Sequence, residues 1–96
     1  MRLKDLCDVK TDFPDADFWI TRKGDINSVG KPTKEFDPEK IGIKVVRTDL
    51  LLPDYLYYVF EFLVMKGAFA SMGRGTSNLK NITIDDVKNI PIGQQD

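Results

Sequence analysis

Ninety-six residues carrying fourteen basic and fifteen acidic side chains give one domain's length of chain with a net charge of −1. A chain this short buries only roughly 60–65 % of the surface it exposes when unfolded, which allows one modest core and no second domain, so residues 1–96 are expected to form a single compact unit. With 42 % hydrophobic, 10 % aromatic and 30 % charged residues and ordinary Gly and Pro, the composition excludes a disordered tail, a collagen-like repeat and a disulfide scaffold, while the near-neutral charge excludes a polyanion binder that relies on bulk attraction.

In chain order, the first segment, Met1 to Lys10, alternates loosely (Leu3, Leu6 and Val9 apolar) and reads as a short edge strand or a turn of helix. Thr11 to Asp17 is turn chemistry, with Pro14 fixing φ and the aspartates favouring local side-chain to backbone bonds. Phe18 to Thr21 is a β-prone run that Lys23-Gly24-Asp25 should end as a turn. Ile26 to Val29 is the expected returning strand, closed by Gly30-Lys31-Pro32. The polar stretch Thr33 to Lys40, around Phe36, should run over the surface. Ile41, Ile43 and Val45 then alternate as a half-buried strand of period two.

Pro53 to Lys66 gives the strongest helix signal. Proline suits the first helical position, because its missing N–H would have no intrahelical partner. Asp54 and Lys66 match the helix dipole, and Gly67 is a natural left-handed stop. Leu56, Val59, Phe60 and Leu63 form one apolar stripe and Tyr55, Tyr58 and Phe62 a second, so the helix is expected to pack on more than one side. Beyond Gly67 the chain is small and polar. Leu79, Ile82 and Ile84 suggest a strand, Thr83 or Asp85 caps a helical turn through Val87, and Ile90-Pro91-Ile92 is a last short strand.

Chemistry is thinly represented. With no histidine and one cysteine, Cys7, the chain has no Ser-His-Asp or Cys-His pairing, no internal disulfide and no ordinary zinc ligand set. Asp15, Asp17, Glu35, Asp37 and Glu39 are the residues a Mg²⁺-dependent nuclease would have to use, and Asp8-Val9-Lys10 and Asp86-Val87-Lys88 each hold half of a nuclease signature. Triplets so short arise readily by chance in a chain this charged, so these carboxylates read as a solvated surface. Neither a catalytic residue, a metal nor a cofactor is expected. The charged opening run is no secretory signal, and no apolar run approaches the ~20 residues that span a bilayer, so the chain reads as cytoplasmic and away from membranes.

Between Phe18 and Thr48 seven basic residues face four acidic ones, a local excess of +3. Arg22-Lys23-Gly24 and Gly30-Lys31-Pro32-Thr33-Lys34 look like hairpin tips able to reach phosphates. Gly73-Arg74-Gly75-Thr76 sets a guanidinium between two glycines, with Ser77 and Asn78 following, and such a loop can approach an anion or a guanine edge. It lacks the spacing of a phosphate-cradling Walker loop.

The order of motifs, from the opening Leu3-Lys4-Asp5-Leu6-Cys7-Asp8-Val9 through Pro53-Asp54-Tyr55-Leu56-Tyr57-Tyr58 and Gly73-Arg74-Gly75-Thr76 to Asp85-Asp86-Val87-Lys88-Asn89-Ile90-Pro91-Ile92, resembles the target recognition domain of type I restriction-modification specificity subunits. The resemblance is diffuse and spans nearly the whole chain. It departs where Lys4 replaces a glycine, where the closing Pro-Leu-Pro is reduced to Pro91-Ile92-Gly93, and in length, the chain being shorter than a full recognition domain. It implies an α+β fold: a curled, mostly antiparallel sheet packed on one main helix, about residues 53–66, with a short C-terminal helical turn. It also implies a non-catalytic module that binds double-stranded DNA for methyltransferase or restriction subunits, in a prokaryote or a phage. Arg22, Lys23, Lys31 and Lys34 would then contact phosphates, with Arg74, Gly75, Thr76 and Asn78 near the DNA. A homodimer would double the contacts, with Trp19, Phe36 or Tyr57 as interface aromatics. The alternative is a module of the same fold that docks onto protein and never touches DNA.

Overall fold

The computed structural model describes residues 1–75 and 79–92 and has an α+β architecture. A 3₁₀ turn, Leu3–Asp5, leads into β1 (Cys7–Thr11), so the opening segment is both helical turn and edge strand. β2 (Phe18–Ile20), β4 (Pro32–Thr33) and β5 (Ile41–Val45) join β1 in an antiparallel sheet of order β1-β5-β2-β4. A smaller antiparallel sheet of order β3-β7-β6 is built from β3 (Lys23–Gly24), β6 (Arg74–Gly75) and β7 (Lys80–Asn81). The helices are α1 (Pro53–Met65), α2 (Ala68–Met72) and α3 (Ile84–Lys88).

Period two in β5 does what the sequence implies: Ile41, Ile43 and Val45 are buried while Lys44 faces solvent. β5 is a central strand, with Val9 opposite Ile43 on one side and Phe18 opposite Ile43 on the other. Gly42 is buried too, because the Thr11–Asp17 turn crosses this strand. A Cβ at Gly42 would come within 2.8 Å of the Phe13 Cβ and 3.0 Å of the Ala16 Cβ. The turn is locked by the Trp19 indole N–H, which donates to the Phe13 carbonyl at 2.8 Å, and by the Val45 N–H, which donates to Asp17 at 2.8 Å.

Two local expectations are corrected. Lys23-Gly24 is not a turn but a strand of the second sheet, paired with Asn81 and Lys80. Ile26 to Val29 is not a strand: the Asp25 carboxylate accepts from the Asn27 N–H at 2.9 Å, and the Ser28 and Val29 N–H groups both donate to the Asp25 carbonyl at 3.0 Å. This self-satisfied turn uses the backbone groups that a strand would need. The return to the main sheet is made later, by Pro32–Thr33 against Ile20 and Trp19.

Helix α1 begins at Pro53 and stops before Gly67, whose φ of +75° is the left-handed conformation expected there. Its buried stripe, Leu56 and Phe60, lies on the sheet side: Phe60 meets the edge of Phe18 at 5.5 Å between centroids and Phe69 of α2 at 5.4 Å. One core cluster joins the opening turn, both sides of β5, α1, α2, Ile82, Val87 and Ile90. The expectation that α1 packs on more than one side is met in part, since the helix contacts the sheet through Phe18 and α2 through Phe69. Tyr55, Tyr58 and Phe62 nevertheless face solvent, and among the described residues no element lies over that second stripe.

Toward the C-terminus the helix follows its local signal, whereas the strand expected over Leu79, Ile82 and Ile84 is confined to Lys80–Asn81, with Ile84 opening α3. Thr83 caps α3 by accepting from the Asp86 N–H at 3.1 Å, and Asp86 reciprocates by accepting from the Thr83 N–H at 2.9 Å. Ile90-Pro91-Ile92 makes a single bridge, Arg2 to Pro91, flanked by Leu3 N–H to Ile90 carbonyl at 2.9 Å and Ile92 N–H to Met1 carbonyl at 2.8 Å. Among the described residues no helix is long and apolar enough to cross a membrane.

Candidate nucleic-acid interface

Strand register brings several of the basic residues to one end of the main sheet. Ile20 of β2 stands opposite Ile41 of β5 and Pro32 of β4. The next residues outward are therefore neighbours: Lys40, Thr21 and Lys31, with the Thr21 N–H donating to the Lys31 carbonyl at 3.1 Å. Arg22 comes next, its carbonyl accepting from the Ile82 N–H at 2.9 Å, which ties the end of β2 to the segment that follows β7. Lys23 then enters the second sheet.

In that sheet Lys23, Asn81 and Arg74 occupy one cross-strand row, and Gly24, Lys80 and Gly75 the next. Directly opposed residues share a face, so the Lys23 and Arg74 side chains rise from the same side, with Cα atoms about 10 Å apart across the intervening strand. A cleft of about 420 Å³ opens beside this row, lined among others by Thr11, Thr21, Arg22, Lys23 and Lys40 together with Asp37 and Glu39. A neighbouring cleft of about 360 Å³ shares Thr11 and Arg22 and is closed by Thr83 and Asp85. Arg22 thus stands between two polar recesses.

The electrostatics of the sequence-nominated residues differ. Among the described residues the ion pairs are Lys34–Asp54 at 3.3 Å, Arg47–Asp49 at 2.8 Å and Arg74–Asp86 at 2.6 Å. Arg22, Lys23 and Lys31, and Lys40 with them, are in none of these pairs. Arg74 grips Asp86 with both terminal nitrogens, at 2.6 and 3.2 Å, and the guanidinium, helped by the Thr83 backbone N–H and hydroxyl, holds the Asp86 carboxyl below its ordinary value of 3.8. This contact fastens β6 to the first turn of α3. Lys34 sits beyond β4, its ammonium between Asp54 and the Tyr57 ring, 4.9 Å from the centroid. It lies away from the Arg22–Lys23 end. Gly75 is exposed opposite Lys80, whereas Thr76 and Asn78 lie outside the described residues.

Lys40 belongs to the assembled group but escapes sequence reasoning as a site residue. Its nearness to Lys31 depends on β2 lying between β5 and β4, which no local pattern announces. The proposed interface aromatics are also distributed differently. Trp19 is buried, and Tyr57 is half-buried with its hydroxyl donating to the Pro32 carbonyl at 3.3 Å. Only Phe36, edge-on to Trp19, remains exposed.

Among the described residues no three carboxylate, cysteine or histidine groups come together as a metal site. Cys7 is buried, and burial together with the nearby Asp17 and Asp8 carboxylates pushes its thiol up to about 12, far from the thiolate a nucleophile needs. What the arrangement offers is positive charge on short, well-anchored strand ends. Set against family models, curated proteins and solved structures, the chain matches none.

Proposed function

We propose that the chain is a non-catalytic DNA-binding module, gripping the phosphate backbone with Arg22, Lys23, Lys31 and Lys40. The observation that carries this reading is that Arg22, Lys31 and Lys40 collect at one end of the main sheet with Lys23 just beyond in the second, and that among the described residues none of the four is in an ion pair although Asp37 and Glu39 line the same cleft. Arg74 joins the group through the donors that Asp86 leaves open. A bidentate contact to a guanine edge would first have to release Asp86, so Arg74 fits a phosphate better than a base. Lys34, already resting on Asp54, is the weakest member. The resemblance to restriction-modification recognition domains supports the same reading and suggests methyltransferase or restriction subunits as the proteins it would serve.

The test is fluorescence anisotropy on a mixed-sequence duplex across a salt series. Four phosphate contacts predict a log–log salt slope of about −3.6, and Arg22→Ala with Lys23→Ala should reduce its magnitude by about 1.8 while weakening binding at every sequence tried. Lys34→Ala should change the slope least. No binding at low salt, or a double variant with unchanged slope, overturns the proposal.

A second reading, a protein-docking module of the same fold, is favoured by one observation: the uncovered apolar face of α1. Absence of DNA binding combined with binding of a protein other than a second copy of this chain would select it.

A further inference from the structure

Helix α1 carries far more apolar surface than the sheet can cover. Leu52, Tyr55, Tyr58, Phe62 and Met65 are between 55 % and 84 % exposed and follow each other at helical spacing, so they form one continuous stripe. Leu50, also exposed, extends it past the helix N-terminus, where Leu50, Leu52 and Tyr55 line one hollow of about 410 Å³. Along the other border, Tyr55, Val59 and Leu63 form one wall of an apolar groove of about 300 Å³, with Met72 and Ile92 opposite. Glu61 is the only charge between Asp54 and Lys66, at the stripe's margin.

Area and pattern both say what covers it. Taking aromatic side chains at about 150–250 Å² each and scaling by exposure, the stripe with Leu50 presents about 700 Å² of mostly apolar surface. That exceeds the ~300–600 Å² patch found on an ordinary monomer. Complete burial of two such faces would remove at most about 1,400 Å², which reaches the ~1,200–2,000 Å² range of a stable specific interface. The stripe also reads alike in both directions: aliphatic, three aromatics, aliphatic. A two-fold axis near Tyr58 sets Leu52 against the second copy's Met65 and Tyr55 against its Phe62, while Tyr58 meets its own counterpart. This is the self-complementarity that an isologous contact requires. We infer that the chain forms a two-fold homodimer through antiparallel packing of α1 on the α1 of a second copy. The inference is independent of the nucleic-acid reading.

Sedimentation velocity on the whole chain, from about 1 to about 300 µM, reads the association directly, because mass action shifts any dimer across that range. A monomer–dimer equilibrium is expected. Tyr58→Glu and Phe62→Glu should each weaken it more than tenfold, while leaving the far-ultraviolet circular dichroism intact, since both side chains are exposed. Tyr58→Cys, close to the axis, should cross-link to itself on mild oxidation. Lys44→Cys, on the solvent face of β5, should not. A monomer at every concentration, a dimer indifferent to both glutamate substitutions, or equal cross-linking of the two cysteine variants overturns the inference.

Discussion

Cys7 shows how one residue's surroundings decide its chemistry. It sits in β1 opposite Val45, buried, with the Asp17 and Asp8 carboxylates nearby, and its thiol is pushed up to about 12. Iodoacetamide at pH 8 should leave the native protein unlabelled and label it fully in urea, as mass spectrometry would show; rapid native labelling would contradict the burial. Asp86 is the opposite case. The Arg74 guanidinium lowers its folded value below 3.8, so its contribution to stability is complete above the unfolded carboxylate's range and is lost as pH falls through the lowered folded value. Thermal melts of the wild type and of Asp86→Asn should therefore differ at pH 6, by a gap that shrinks as pH falls below 3.8. A gap that stays constant would show that the charge plays no part.

At the scale of elements, α1 makes the sharpest contrast. Phe60 contacts Phe18 and Phe69 in the core, and Phe60→Ala should cost about 3–5 kcal/mol in urea unfolding. Phe62, two positions on and more than half exposed, should cost under about 0.5 kcal/mol on the same truncation in dilute solution. Similar losses at both sites would mean that α1 is covered on both sides within one chain. The boundaries of α1, β2, β5 and α3 were legible because Pro53, Gly67, the alternation of Ile41, Ile43 and Val45, and the Thr83 cap act locally. β3, β6 and β7 were not, because two residues carry no periodicity. Lys23–Gly24 is a strand only by pairing with Lys80–Asn81, more than fifty positions away. Helix α2 was missed for a related reason: its five residues gain their order from Phe69 packing on Phe60.

For the whole molecule, the α+β class and the basic character of the Arg22–Lys34 region could be read from the chain, while the grouping of charges could not. Lys31 and Lys40 become neighbours of Thr21 only through the order β1-β5-β2-β4. The Arg74–Asp86 pair likewise depends on where β6 meets α3. The same long-range logic governs how the molecule is made. Residues 1–3 are bonded to residues 90–92, and among the described residues β1 pairs with β5 alone. A chain emerging from the ribosome must hold its first dozen residues unsatisfied until β5 appears, and cannot fasten the opening turn until residues 90–92 have followed. Until then Leu3, Leu6 and Val9, all buried in the folded molecule, have no core to enter.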